Sequence, residues 1–496
     1  MMIDARFTAE VLERAGLSPA DVEAWAGDYP VREHAEFRPA ASAVSDFLTR
    51  GLALMRRLPA PAGGTADERA ARDAIATVAN SARERFLRSH AADLYDALTG
   101  RCTRSLRLDE LVYAAAALVP GLVPSSAEMA AERARALADK EGIELAQGLL
   151  VAHVMALPRA GRHLIGAMLR PTSQALERLE ELRASGTVDL GPVRVTRRGR
   201  AGILELSNPR HLNAEDEATL GPTEYGVDLI LLDPAIEVGV LRGGVVDHPS
   251  YAGRRVFGSG INLTHLYHGR IDFLFYLLRD LGYVNKIYRG ISPGAGGAGG
   301  LSAGAGGLGA SAGAGGAGGA GAQLYAADGQ EPAVEKLWVA VVERFAIGGA
   351  CQLLHVVDHV IATRGSRLYL PARKEGIIPG ASNLRLPRFV GDRAARQAIL
   401  SGREWAAGDP DAALLCDEVV EPGEMDAALE ARIEALTNSG VVNATANRRT
   451  LRAGQEPLDL FREYMATFAR EQVHCHLSPA LVHNLEVHWH ARSRNI

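Results

Sequence analysis

The residues Phe345-Ala-Ile-Gly-Gly-Ala-Cys-Gln352 combine a glycine pair with the start of an apolar periodic run, Leu353, Leu354, Val356 and Val357. The apolar stretch Leu337 to Val342 reads as a buried strand leading into them. The pattern predicts a strand that turns through Gly348-Gly349 into a helix starting near Ala350. Glycine lets the backbone turn sharply and lets a ligand approach the main chain. The first N–H groups of a helix have no partner within it, and that end is partly positive. Such a turn suits an oxygen that must become negative during a reaction. A tight packing turn would use the same residues, so the rest of the chain must decide. A second turn of this kind, Arg254-Arg-Val-Phe-Gly-Ser-Gly-Ile-Asn-Leu263, also precedes a helical segment.

The elements around these turns must come from 496 residues, a length that calls for more than one domain. A hydrophobic share of 47% and a charged share of 23% are those of a globular protein. The net charge of -5 argues against a nucleic-acid binder. Cys102, Cys351, Cys416 and Cys475 are far apart and form no CxxC pair, which points to a reduced, cytoplasmic protein. Cys351 has no accompanying base and reads as core packing. No secretory signal or membrane span is expected, since no apolar run reaches roughly 20 residues.

Residues 1–186 read as an all-helical domain without a catalytic constellation. Ser18-Pro19-Ala20-Asp21 and Ser125 to Glu128 carry helix-start spacing, and Ala66 to Leu98 is helical in composition. Residues 187–425 read as an α/β core. Val193-Arg-Val-Thr196 and Gly202-Ile-Leu-Glu-Leu206 predict a β-hairpin about Arg-Arg-Gly199. Leu206 to Asp216 is a polar turn opening a helix, and Ile236 to Leu241 is a buried strand. Residues 294–322, almost all Gly and Ala, read as a flexible insertion. Their GxGxxG match at Gly294 to Gly299 is no dinucleotide site, because more glycine follows where a helix should begin. Asp409 to Glu434 and Pro457 to Gln472 look helical, and residues 426–496 form a C-terminal helical region. The tail holds His474, His476, His483, His488 and His490. Histidines two apart do not share a helix face and no Cys or acid completes a set, so solvated histidines and no metal are expected.

Five ordered blocks resemble the crotonase (enoyl-CoA hydratase/isomerase) superfamily. They are Leu206-Ser-Asn-Pro-Arg-His-Leu-Asn-Ala, Arg255-Val-Phe-Gly-Ser-Gly-Ile-Asn-Leu, Phe345 to Gln352, Asp358-His-Val-Ile-Ala, and Tyr369 to Gly380 followed by Leu384 to Gly391. The resemblance implies a ββα spiral core in which the N–H groups of Ile261 and Gly349 hold a CoA thioester oxygen as it becomes an enolate. Hydratases of this superfamily place two glutamates for adding water; the matching positions here are Gln352 and Ala372. An amide and a methyl cannot do general acid–base work, so an ordinary hydratase is not expected.

The helical extension, the Asn213-Ala-Glu-Asp segment and the run from Lys374 to Arg385 are similar to a subgroup that oxygenates a dihydroxyphenylacetyl-CoA thioester in antibiotic biosynthesis. That likeness implies a dioxygenase with no metal or organic cofactor, releasing the arylglyoxylate and free CoA. It implies that Glu215, His248 and Arg279 hold the ring hydroxyls, that Gln352 sits beside the thioester, and that Leu263, Ala372 and Ile377 line an oxygen pocket. Arg254 and Arg255 are candidates for the CoA phosphates. The partners implied are an aryl-acetyl-CoA, O2 and further copies of the chain as a trimer or dimer of trimers. Plainer roles stay open: Glu215 as a helix-start acid, His248 as a loop residue, Arg279 as a surface ion pair, Gln352 as a helix surface residue. So do another acyl-CoA reaction (thioesterase, decarboxylase or isomerase) on the same oxyanion hole and a non-catalytic assembly module.

Overall fold

The computed structural model describes residues 5–30, 36–60, 63–292, 334–438 and 440–494. The Gly/Ala-rich stretch 294–322 lies outside them.

Helices follow one another from Ala5–Arg14 to Ser173–Ser185. The longest, Ala66–Thr99, starts at a capping box in which Thr65 and Glu68 satisfy each other's backbone N–H, and it ends at Gly100 in the left-handed region. Ser125 and Glu128 form the expected capping box. Ser18 takes the extended N-cap conformation ahead of Pro19, but its side chain makes no capping hydrogen bond.

The central sheet has seven strands in the order Thr187–Asp189, Val193–Arg198, Ala201–Leu206, Val238–Gly243, Leu337–Val342, His359–Thr363, Glu418–Val420. The first three are antiparallel and every later pairing is parallel. The predicted hairpin is present, with Arg198 opposite Ala201 and Gly199 at φ +58 in the two-residue turn. Strand Leu337–Val342 is buried at all six positions. Side chains of a strand alternate between faces, so it feeds two cores. Trp338, Ala340 and Val342 pack with Leu204, Ile230 and Tyr283. Leu337, Val339 and Val341 pack against Met425, Leu429 and Ile433 of helix Met425–Thr437. A second sheet joins Phe345–Ile347 to Arg367–Tyr369 and then Glu404–Ala406.

Two expectations need correction. Asp409 to Glu434 is not continuous helix. It holds a 3₁₀ turn at Pro410–Leu414 and the strand Glu418–Val420, which extends the sheet by pairing with Ile361 to Thr363. A three-residue strand has too few positions to show a period, and tertiary pairing selects it. The helix after Gly348 is only Gly349–Leu353; Leu354, Val356 and Val357 lie in turns.

The largest apolar core combines three parts of the chain. Phe47, Tyr95 and Leu150 of the N-terminal helices meet Ile261, Phe273 and Leu277 of the middle and Phe461, Phe468 and Leu481 of the C-terminal helices. The N-terminal layer is also tied to the sheet layer by buried charge. Lys286 is fully buried and places its ammonium 2.7 Å from Glu224 and 2.8 Å from Asp228. Arg107 donates to Glu224, and the Thr172 N–H and hydroxyl donate to Asp228. Removing one partner of such a cluster leaves buried charge uncompensated, at a cost of about 3–5 kcal/mol. Lys286→Met is therefore expected to lower the urea unfolding midpoint markedly, by a stability loss in that range. A midpoint like that of the wild type would refute the assignment of this cluster as the joint between layers.

Candidate active site

The two glycine turns meet. Gly258 pairs as a parallel bridge with Ala346, and Glu215 with Ile261, so segment 256–262 runs between 213–216 and 345–349. Glu215 N–H donates to Gly260 O at 2.7 Å and Asn262 N–H donates to Glu215 O at 2.8 Å. That pairing uses the groups on either side of Ile261 and leaves the Ile261 N–H out of it. Gly260, at φ +82, touches the other turn: a Cβ there would lie 3.0 Å from Gly349 N. Gly348, at φ 54 and ψ -120, takes a conformation open to glycine and sets Gly349 N at the start of its helix. With only five residues in that helix, the dipole adds little. The useful feature is that Ile261 and Gly349, neither of whose N–H groups is used in a backbone hydrogen bond among the described residues, line one cavity.

Behind them sits Arg279, 4% exposed on helix Leu274–Leu281. Its Nε and a terminal nitrogen donate to Glu215 at 2.7 and 3.0 Å. It also donates to Gln352 Oε1 at 2.9 Å, Asp280 Oδ1 at 3.2 Å and Gly349 O at 2.7 Å. The Tyr283 hydroxyl donates to Glu215 Oε1 at 2.5 Å. Gly349 has no room for a side chain, because a Cβ would run into the Glu215 carboxylate. Burial works against the Arg279 charge, but Glu215, Tyr283 and Asp280 around it raise its pKa and hold the guanidinium charged.

The cavity holds about 30 Å³. That admits one or two molecules the size of water or O2 and not an aryl ring. Glu215, Ile261, Arg279, Gly349, Gln352, Ala372 and Ile377 line it, joined by Phe275, Tyr276, Asp280, Glu375 and Phe468. Three acids therefore share a pocket with one guanidinium. Asp280 accepts from Arg279 and from Ala381 N–H, yet burial still raises its pKa. Glu375 has no hydrogen-bond partner for its carboxyl among the described residues, and burial pushes it up to about 8. Tyr276, raised well above its ordinary value by burial and then by Glu375, lies 3.3 Å through its hydroxyl from His476 Nδ1. The far side of that ring faces Glu144 of the N-terminal layer at 3.4 Å.

Ile261, Gly349, Gln352, Glu215, Arg279, Ala372 and Ile377, all singled out from the sequence, line this one cavity. Four others stand elsewhere. His248 is half-buried in the loop after strand Val238–Gly243 and packs on Tyr251, which in turn meets Phe345 edge-on. Leu263 starts the helix Leu263–Tyr267 and packs into the large helical core. Arg255 is held by Glu205 and by Gly243 O, and Arg254 is exposed. Glu215 is not a first-turn acid. Asp216 is the N-cap of helix Glu217–Leu232, and Glu215 stands before it with its side chain turned into the pocket. Arg279 is no surface ion pair. His476 is fully buried while His474 is exposed, so the tail histidines are not uniformly solvated. The carboxylates of Asp216 and Glu217 come together with His265 closely enough to suit a metal ion, with none of the tail histidines among them. Asp216 is already engaged there by Asn208, Asn262 and the helix N-terminus.

Glu375, Asp280, Tyr276, Tyr283 and Phe468 were not picked out from the sequence. Glu375 had a signal, since it lies one helical turn after Ala372. Phe468 had none, being nearly a hundred positions away on a helix whose packing is purely tertiary.

Residues 329–467 match the family model for enoyl-CoA hydratase/isomerase. The chain is 45% identical over 446 residues to a (3,5-dihydroxyphenyl)acetyl-CoA 1,2-dioxygenase of Amycolatopsis orientalis, covering 89% of this chain and 93% of that one. Among solved structures, an enoyl-CoA hydratase from Bacillus halodurans superposes with a TM-score of 0.44 at 17% identity, over 60% of this chain and 99% of its own. A carnitinyl-CoA hydratase from Mycobacterium avium gives 0.45 at 19% identity, over 62% and 98%. No described helix is long and apolar enough to cross a membrane. With a relative this similar across nearly all of its own length, the chain belongs to the crotonase (enoyl-CoA hydratase/isomerase) superfamily.

Proposed function

We propose that the chain is a dioxygenase that converts (3,5-dihydroxyphenyl)acetyl-CoA and O2 to 3,5-dihydroxyphenylglyoxylate and free CoA, with no metal or organic cofactor. One observation carries this reading: Ile261 and Gly349, the positions expected to form an oxyanion hole, line one cavity with Gln352 and Ala372, which stand where hydratases carry their two glutamates. The 45% identity to a relative named for this activity supports the substrate.

The chemistry follows from what the pocket keeps and lacks. The two N–H groups stabilise the thioester oxygen as the α-proton leaves, and the aryl ring shares the carbanion charge. With Gln352 and Ala372 at the two positions where hydratases carry their water-adding glutamates, the carbanion is left for O2. It passes one electron to O2 and the two recombine as an α-peroxide. The distal peroxide oxygen attacks the thioester carbonyl and expels the CoA thiolate. Cleavage of the O–O bond with loss of the second α-proton leaves one oxygen atom on each carbon of the glyoxylate. Ala372 and Ile377 supply an apolar wall where O2 can wait. Glu215 and Arg279 orient the ring through its hydroxyls. They now satisfy each other and Gln352 around a cavity too small for the ring, so ring binding widens the pocket and exchanges some of these bonds for substrate bonds. His248 and Leu263 reach the substrate only through movement of their segments, and Arg254 is free to meet a CoA phosphate. The assembly is a homo-oligomer, a trimer or dimer of trimers, working in the cytoplasm.

Chelator-treated protein in air is expected to consume one O2 for each CoA released from the dihydroxyphenylacetyl thioester, followed with an oxygen electrode and a thiol reagent. CoA release under anaerobic conditions would instead mark a thioesterase. The oxygen wall is tested by Ala372→Leu. Its added methyls fill the cavity, so kcat/KM for O2 should fall about tenfold or more while thioester affinity changes less than threefold. Equal losses in both would place the oxygen elsewhere.

A further inference from the structure

We infer that Glu375 is the general base that removes the α-proton of the bound thioester. This rests on the reading of the pocket as an enolate-forming site. The carboxylate absent at Ala372 is supplied one helical turn later, at the other end of the four-residue helix Ala372–Glu375. Gly376, at φ 83, ends that helix and fixes the direction in which Glu375 leaves it.

The position fits the task. Glu375 is 4% exposed and lines the cavity with Ile261 and Gly349. Its Oε1 lies 3.7 Å from where a Cβ of Gly348 would stand, so the carboxyl abuts the turn that forms one half of the oxyanion hole. A thioester α-carbon is two bonds from the oxygen that those N–H groups would hold. A group beside the hole is therefore beside the α-carbon too.

The other carboxylates are committed. Glu215 takes two donors from Arg279 and one from Tyr283. Asp280 takes Arg279 and the Ala381 N–H. Glu375 alone has its lone pairs unengaged among the described residues, and the absence of any partner is why burial raises its pKa to about 8. A buried carboxyl that no structural partner compensates is costly to keep, and such groups collect at functional sites. The groups facing it are few. Tyr276 comes from helix Leu274–Leu281 and Tyr369 from strand Arg367–Tyr369, both with raised pKa through burial first and Glu375 among the further causes. Arg279, Asp280 and Glu215 share the cavity. The helix Pro479–Trp489 packs beside Gly376 through Asn484. Of its ionisable side chains, His483 and His488 are exposed and Glu486 is bound by the Tyr267 hydroxyl.

In the step itself the α C–H bond breaks and its proton forms an O–H bond on Glu375. The C–H electron pair becomes the enolate, with its charge on the thioester oxygen. The proton then passes to the CoA thiolate when the thioester bond is broken, which returns Glu375 to its ionised form. Sign follows directly: only the carboxylate can accept a proton, so the step quickens as pH rises through about 8 and levels off above it.

The test is anaerobic exchange of the α-protons of (3,5-dihydroxyphenyl)acetyl-CoA in D2O, followed by mass spectrometry, beside O2 uptake in air. Glu375→Gln is expected to slow exchange by about 10²–10⁴-fold while thioester affinity and the melting temperature stay near those of the wild type. Exchange in that variant within threefold of the wild type overturns the assignment. So does a wild-type exchange rate that is flat between pH 7 and 9, a readout that needs no variant to fold. Glu375→Asp should retain part of the activity with its pH midpoint displaced, which a merely structural carboxyl would not do. Glu375-dependent exchange in a wild-type protein that consumes no O2 would uphold the base while the oxygenase reading fails.

Discussion

The site is organised by one buried cation. Arg279 is almost wholly out of water, and a guanidinium there is tolerated only when its donors are matched. Its partners are the adjacent Asp280 and two remote stretches, Glu215 on one side and Gln352 with the Gly349 carbonyl on the other. Satisfying this one group draws the 213–216 loop, helix Leu274–Leu281 and the Gly348–Gly349 turn to a common point. The meeting of Ile261 and Gly349, the proposed oxyanion hole, is a by-product of that closure. Its two N–H groups belong to the loops that Arg279 and the neighbouring backbone bridges hold together.

The same cation sets the charge state of the pocket. It balances Glu215 fully and Asp280 in part, and leaves nothing for Glu375. Burial then acts on Glu375 with no cation to oppose it and pushes its pKa up to about 8. The helical layer takes part as well. Tyr276 and Phe468 line the cavity, and Tyr276 is backed by His476 and then by Glu144 of helix-rich residues 1–186. The N-terminal and C-terminal helices share one apolar core, from which Phe468 reaches the wall of the cavity while the N-terminal helices stand behind it.

Legibility followed the range of the interactions. Local rules carried the hairpin at Gly199, the capping box at Ser125, the buried strand Leu337–Val342 and the turn at Gly348. Each is a matter of a few adjacent residues. The strand Glu418–Val420 was read as helix because its pairing, with Ile361 to Thr363, is more than fifty residues away. The plainer role left open for Glu215, an acid in the first turn of a helix, falls because the backbone makes Asp216 the N-cap and starts the helix at Glu217. His248 was carried by likeness to relatives, and the structure sets it in a loop against Tyr251.

The sequence by itself determined where the backbone turns, through glycines at 258, 260, 348 and 349, and which side chains stand at positions 352 and 372. Those are properties of residue type and near spacing, which the chain cannot lose on folding. Only the tertiary structure decided which charged groups meet. Whether an acid is paired, as Glu215 is, or left alone, as Glu375 is, depends on the cation within a few ångströms of it and on the water excluded from it. Both are set by segments tens to hundreds of residues apart, packing around Arg279.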